Sequence, residues 1–199
     1  MKKNLITALL MTIATTILLG IGYPLLITGL ARIFPDQRNG QLIKKNGVVI
    51  GSRIIGQMFT SPQYFHGRPS AAATAGSSNG YDPTNSAGSN LGPTNHKLID
   101  QVKNYVAALQ AENPGKLIPV DLVTMSGSGL DPHISPAAAD FQVPRVAKAR
   151  RMSENEVAAL VAQHTQGRQF SFLGEPRVNV LELNLALDEK YPVKATTTK

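Results

Sequence analysis

Residues 5–31 read LITALLMTIATTILLGIGYPLLITGLA, 27 consecutive positions without a charged side chain. As a helix rising about 1.5 Å per residue this run is about 40 Å long, more than the ~30 Å hydrocarbon core of a bilayer. A secretory leader has an apolar stretch of roughly 7–15 residues. Length therefore favours an uncleaved anchor, although Gly29-Leu30-Ala31 has the small-x-small look of a cleavage site. Residues 1–34 are read as a transmembrane anchor, and 35–199 as one soluble domain. Ala8, Thr12, Thr16 and Gly20 recur at every fourth position. They form a stripe of small side chains where another helix's backbone could approach closely. Such residues are also common in membrane helices generally, so the stripe leaves a partner helix and ordinary composition both open. Pro24 removes one backbone donor and is expected to kink the helix. Lys2 and Lys3 favour a cytoplasmic N-terminus, while Arg32, Arg38, Lys44 and Lys45 pull the other way. A long folded domain translocates largely regardless of charge, so residues 35–199 are expected outside the cytoplasm.

The whole chain has 199 residues, 42% of them hydrophobic, with 20 Lys and Arg against 13 Asp and Glu, a net charge of +7. Outside residues 1–34 the balance is 17 against 13, or +4, too mild for a nucleic-acid surface. There is no cysteine, which excludes disulfide frameworks, thiol nucleophiles and Cys-based metal sites.

The soluble part reads as α+β, a single mixed domain with a long Gly/Ser/Asn-rich loop. Asn46-Gly47, between apolar-bearing flanks in residues 41–52, signals a type I′ hairpin. Arg53 to Phe59 could continue it as a buried strand. From Ser70 to Asn95, 26 residues contain no Lys, Arg or Glu, and only Tyr81 and Leu91 are large and apolar. A loop this long is functional or disordered. Its low charge favours an ordered surface against a partner over a flexible tether. Asn95 can cap a helix with an apolar stripe of Leu98, Val102, Tyr105 and Leu109, ending at Asn113-Pro114-Gly115. Ile118 to Met125 is strand-like. Ser135-Pro136 starts a short helix, Pro144 restarts one, and Ser153 with Glu156 makes a capping box before a third. Val178 to Leu187 alternates like a strand, yet Asn179 could cap a helix over it; the helix is slightly favoured.

The tools of small-molecule catalysis are missing from this pattern. Gly127 and Gly129 lack the following Gly-Lys-Ser/Thr of a phosphate loop and the third glycine of a dinucleotide fingerprint. The histidines at 66, 96, 133 and 164 stand at least 30 residues apart, without helical metal-ligand pairing. Ser126 and Ser128 fail the G-x-S-x-G pattern because Leu130 occupies the last glycine's place. No catalytic or metal-binding residue is assigned. A basic cluster of Arg145, Lys148, Arg150 and Arg151 could meet lipid phosphates, a nucleotide or an acidic subunit, or could be a solvated helix face. The rigid turn around His133, with Asp131-Pro132 and Ser135-Pro136, suits recognition or a plain structural corner equally.

Several stretches taken together resemble the C subunit family of Kdp-type, ATP-driven potassium transporters. They are Tyr23-Pro24-Leu25 in the anchor, Gly51-Ser52, Ile55-Gly56-Gln57, the run Tyr64 to Ser70 (YFHGRPS), and Gly88 to Leu91 (GSNL). Further on come Ser128 to Asp131 (SGLD), Ile134-Ser135-Pro136, Pro144 to Arg150 (PRVAKAR), Val178-Asn179-Val180 and Leu183 to Leu187 (LNLAL). The resemblance implies a non-catalytic, single-pass subunit of the cell inner membrane in a four-part assembly. Its partners would be an ATP-hydrolysing pump subunit, a channel-like subunit carrying the potassium filter, and a small hydrophobic subunit. It also implies that the chain supports assembly and raises the pump subunit's affinity for ATP, with ATP bound by or with that subunit. The family's short Leu-Ser-x-x-Gln-like stretch falls on Met152 to Glu156, where a carboxylate replaces the amide and would repel phosphate. On this reading the long loop and the His133 turn contact the channel-like subunit, through Arg68, Tyr81, Asp82, Asn90, Asp131 and His133. The alternative is a membrane-tethered extracytoplasmic protein that binds a small ligand alone.

Overall fold

The structure, a computed structural model, describes residues 1–72 and 80–192. The chain forms two compact units, residues 1–49 and 50–199.

In the first unit one helix runs from Lys2 to Ala31 with none of its residues buried. It consists of α1 (Lys2–Thr15), a π-helical stretch (Thr16–Gly22) and α2 (Tyr23–Ala31). The widened turns lie just before Pro24, where Tyr23 N–H donates to Leu18 O, five residues back. A proline ring collides with the carbonyl four residues earlier, and a π turn opens the space it needs. Thr12 Oγ1 donates to Ala8 O at 2.9 Å and Thr15 Oγ1 to Met11 O at 2.8 Å, so these hydroxyls are satisfied on the helix itself. After a short helix α3 (Pro35–Arg38) comes a two-stranded sheet of β1 (Leu42–Lys45) and β2 (Val48–Ser52). Asn46 and Gly47 between them have φ of 53° and 80°, the pair of left-handed residues that a type I′ turn requires.

Beyond β2 the expected buried strand does not form. Ser52 Oγ accepts from Ile54 N–H at 3.2 Å, Gly56 N–H donates to Leu130 O at 2.8 Å, and Gln57 Nε2 donates to Ile50 O at 2.9 Å. The backbone is spent on turn and loop partners, and Ile54 and Met58 stay exposed. Helix α4 (His96–Glu112) follows, with Asn95 Oδ1 accepting from Lys97 N–H at 2.9 Å as its cap. Its stripe of Leu98, Val102, Tyr105 and Leu109 is half-buried. The strand expected over Ile118 to Met125 is instead a loop with one 3-10 turn (Val120–Leu122). Other bonds win there: Thr124 N–H and Oγ1 both reach Val120 O within the turn, and Asp121 takes Ser135 N–H, 14 residues on, at 2.7 Å.

The core lies among β3 (His133–Ile134), α5 (Pro136–Arg150), α6 (Glu154–His164), β4 (Thr165–Gln166), β5 (Arg177–Asn179) and α7 (Val180–Lys190). The sheet order is β3-β5-β4, antiparallel throughout, with His133 opposite Asn179 and Thr165 opposite Val178. Phe65, Val146, Val157, Val178, Leu183 and Leu187 are sealed from solvent in one apolar cluster. Pro144 does not restart a helix; it lies inside α5. Its missing N–H leaves the Asp140 carbonyl, four residues back, without a helical donor, and one residue on Asn113 Nδ2 donates to Phe141 O at 3.1 Å. The capping box of Ser153 and Glu156 forms as expected. The stretch 178–187 contains both of its readings in series: Asn179 ends β5 and, through Oδ1 accepting from Glu182 N–H, begins α7.

Candidate functional site

The run Pro62 to Arg68 opens in a turn, where Tyr64 N–H donates to Ser61 O at 3.1 Å, and continues as a strap without regular structure, so its backbone groups must find other partners. Side chains supply them. Asn184 Oδ1 accepts from Phe65 N–H at 2.8 Å and Asn184 Nδ2 donates to Phe65 O at 2.9 Å. One residue on, Gln142 Oε1 accepts from His66 N–H at 2.8 Å and Gln142 Nε2 donates to His66 O at 3.1 Å. Both amides are buried. Arg145 Nη1 donates to Pro62 O and Tyr64 O at 2.7 and 2.8 Å, and Arg150 Nε to Gln63 O at 2.7 Å. Arg150, with a side chain only 1% exposed, also pairs with Asp188 at 2.8 Å, donates to Tyr191 O and stacks 4.9 Å from the Tyr64 ring. Burial and the hydrogen bond to Asp188 raise the Tyr64 phenol above its usual value. His66 Nε2 lies 3.1 Å from Ser61 O; burial, then the neighbouring Arg145 charge, lower its pKa.

The strap ends at Arg68, whose guanidinium gathers the far loop: Asp131 at 3.3 Å, Met125 O at 3.2 Å and Thr124 O at 3.4 Å. Asp131 in turn accepts from His133 N–H at 2.9 Å, with His133 Nδ1 at 3.4 Å. Burial opposes ionisation of Asp131, but the hydrogen bonds from His133 and the Arg68 charge outweigh it and hold the carboxyl below its ordinary value. Tyr81 lies across Gly56 and Gly67, where any added Cβ would strike its ring or hydroxyl. Its hydroxyl donates to Arg68 O at 2.7 Å, and burial with the Asp131 charge pushes its pKa up to about 12. Thus Arg68, Tyr81, Asp131 and His133, expected as contacts to another subunit, are brought together as one knot within this chain. Arg68, Asp131 and His133 keep roughly a quarter to a third of their side chains exposed (24%, 31% and 27%).

The described part of the long loop is ordered against the same turn. Ser70 Oγ donates to Gly129 O at 2.6 Å, Ala87 N–H to Ser128 O at 3.0 Å, and Asp82 N–H to Ala72 O at 2.7 Å. Asp82 also takes Thr84 N–H in a local turn. Asn90 sits further along with φ of 52°. Residues 73–79 of the expected loop surface lie outside the described residues. The basic cluster divides: Arg145 and Arg150 are internal clamps on the strap, while Lys148 and Arg151 are exposed. Ala8, Thr12, Thr16 and Gly20 all lie on the exposed helix, with the last two in its π turns.

A cleft of about 570 Å³ opens beside the knot, lined by Arg68, Asp121, Asp131, His133, Glu175 and Arg177 among others. Three carboxylates line it with two guanidinium groups: Arg68, already engaged with Asp131, and Arg177, whose buried Nε has no hydrogen-bond partner among the described residues. Ser153 and Glu156 are committed to each other as a helix cap, and the Ser153 bonds lower the Glu156 pKa. None of the described residues forms a group of three or more His, Asp or Glu able to hold a metal ion.

The clamp residues Gln142 and Asn184 escaped the sequence reading. They sit inside amphipathic helices, 76 and 119 residues from the backbone they hold, and the one available cue was a polar amide at a position the helical period buries.

The class is an α+β unit, its loops locked by its own side chains, preceded by one exposed helix long and apolar enough to cross a membrane. The chain belongs to the K+-transporting ATPase c chain family (KdpC), whose description matches residues 5–189. It is 65% identical over 194 residues to the potassium-transporting ATPase KdpC subunit of Koribacter versatilis, covering 97% of this chain and 98% of that one. The corresponding subunit of Acidobacterium capsulatum is 56% identical over 190 residues, covering 95% and 100%. That of Rhodopseudomonas palustris is 56% identical over 196, covering 94% and 98%. A tethered ligand-binding protein acting alone finds no support in these matches.

Proposed function

We propose that this chain is the accessory subunit of an ATP-driven potassium uptake complex, performing no bond-making step itself. What carries this reading is the end-to-end match, over nearly the full length of both chains, to proteins named as KdpC subunits of potassium-transporting ATPases. Its partners are the pump subunit, the channel-like subunit and the small hydrophobic subunit, and its role is to hold them in assembly. The soluble domain lies on the extracytoplasmic side, with the exposed edges of the Arg68 knot and the loop after Tyr81 turned to the channel-like subunit. From that side no residue reaches cytoplasmic ATP. Any gain in ATP affinity at the pump subunit is then a coupling free energy, for which about 1–3 kcal/mol is typical. ATP is then bound by the pump subunit.

The chain has no cysteine, so a single introduced thiol at residue 82 or 133 reports its own position. A membrane-impermeant thiol reagent should label it in intact cells, and labelling that requires opening the cytoplasm would overturn the placement. Omission of this chain should leave the other subunits unable to co-purify as a complex.

A further inference from the structure

We infer that the hairpin of β1 and β2 docks on the bilayer surface and binds anionic lipid headgroups through its turn end. The inference rests on residues 5–31 spanning the membrane. That helix exceeds the hydrocarbon thickness, so Arg32, the first charge after it, lies at the headgroup level. The connection that follows is folded tightly on itself: Arg38 N–H donates to Phe34 O at 3.0 Å, Asn39 N–H to Pro35 O at 3.1 Å, and Gln41 N–H to Asp36 O at 2.8 Å. The strand that begins at Leu42 is thereby kept within a short reach of the helix end.

Two further properties of the hairpin fit a membrane surface. From Arg32 to Val49 there are four bases, Arg32, Arg38, Lys44 and Lys45, against Asp36 alone. The same stretch leaves large apolar side chains in the open: Ile33 is 69% exposed, Phe34 57%, Val48 65% and Val49 48%. A two-stranded hairpin with uncovered apolar residues is marginal in water. The headgroup and upper acyl layer accepts both kinds of group, apolar side chains into the boundary and ammonium groups onto phosphate. Lys44 and Lys45 project to opposite faces of β1, yet both stand at the turn end beside Val48 and Val49. Their long stems let either ammonium reach the phosphate plane.

The full-length chain carrying Val48→Cys, labelled with an environment-sensitive fluorophore, is reconstituted into phosphatidylglycerol or phosphatidylcholine vesicles containing a headgroup-level quencher lipid. Strong quenching is expected in the anionic vesicles and weak quenching in the zwitterionic ones. Lysines near such a surface contribute about fivefold each in partitioning, so K44Q/K45Q should lower the ratio of bound to free hairpin about 25-fold. About 1 M salt, where the Debye length is ~3 Å, should do the same with no substitution. Equal quenching in both lipids, or quenching indifferent to salt and to the lysines, would overturn the proposal. So would shielding that arises only when the other subunits are co-reconstituted, which would assign the hairpin to protein. Flotation with the vesicles in high salt reports the anchor separately, and its failure would remove the anchor and the proposal together. Co-purification of the complex is scored independently of both.

Discussion

Replacing Asn184 by Leu tests whether the strap is held by side-chain amides. The substitution keeps the volume close and leaves Phe65 N–H and C=O without partners in a region where Phe65 and Asn184 are 0% and 1% exposed. Each stranded buried group costs about 1–3 kcal/mol, and the added apolar burial returns about 1 kcal/mol. A net loss of about 3 kcal/mol is expected, a large share of the roughly 5–15 kcal/mol that holds a domain folded. In urea, with a slope of about 2 kcal/mol per molar, the midpoint of the full chain in detergent should fall by about 1.5 M. Gln142→Leu should behave similarly, because it strands the adjacent His66 groups. The double variant is the sharper measurement. Once one amide is lost the strap lifts locally, so the second loss should cost less, with a shortfall from additivity of about 1–2 kcal/mol. Strict additivity, or single losses below about 1 kcal/mol, would refute the idea that the two amides grip one element.

Gly129→Ala should cost at least about 2 kcal/mol, since its φ is +69° and a Cβ would meet Ala87 O at 2.5 Å and Ala72 N at 2.8 Å; Gly127→Ala, with open space around it, should be near neutral in the same melt. Because His66 has its pKa lowered from 6.5 in the folded chain, the unfolded chain takes up a proton first. Stability should therefore be full above pH 6.5 and decline as the pH falls below it, a decline that His66→Gln should flatten in midpoints measured on the acid side of 6.5. In the anchor a Cβ at Gly20 would meet only Thr16 Cγ2, at 3.7 Å, so Gly20→Leu should leave the helix intact; if the small stripe is a contact, it and Thr12→Leu should reduce co-purification of the other subunits, and unchanged recovery would remove the stripe as an interface.

What was legible in the sequence was whatever depends on neighbours a few residues apart. Asn46-Gly47 announced its hairpin because only certain residues accept two successive left-handed conformations, and Asn95, Ser153 and Asn179 announced helices because a cap acts over three residues. Ile118 to Met125 misled because β-branched and apolar residues describe what fits a pleat, whereas here Thr124 bonded back to Val120, Asp121 was taken by Ser135 14 residues on, and no strand pairs with the stretch among the described residues. Pro144 misled in the other direction, since a local rule broke a helix that runs from Pro136 to Arg150 straight through it. The candidate site was the least readable part. Arg145 and Arg150 looked like an outward basic face until the strap, more than 80 residues earlier, placed carbonyl oxygens where their guanidinium groups could converge. Charge patterning along one helix carries no record of which distant backbone will need donors.

The strap also has an unusual relation to chain length. In a sheet, a strand that slips by two residues still finds a ladder to join. Here each carbonyl from Pro62 to Phe65, and the amide hydrogens of Phe65 and His66, has one assigned side chain at a set height along α5 or α7. Gln63 is therefore free to change identity, since its clamp holds only main-chain atoms, while insertion or deletion of a single residue would put every later acceptor out of phase at once. At Gln63 the chain tolerates a change of spelling, but nowhere between Pro62 and Arg68 a shift of the reading frame of its own backbone.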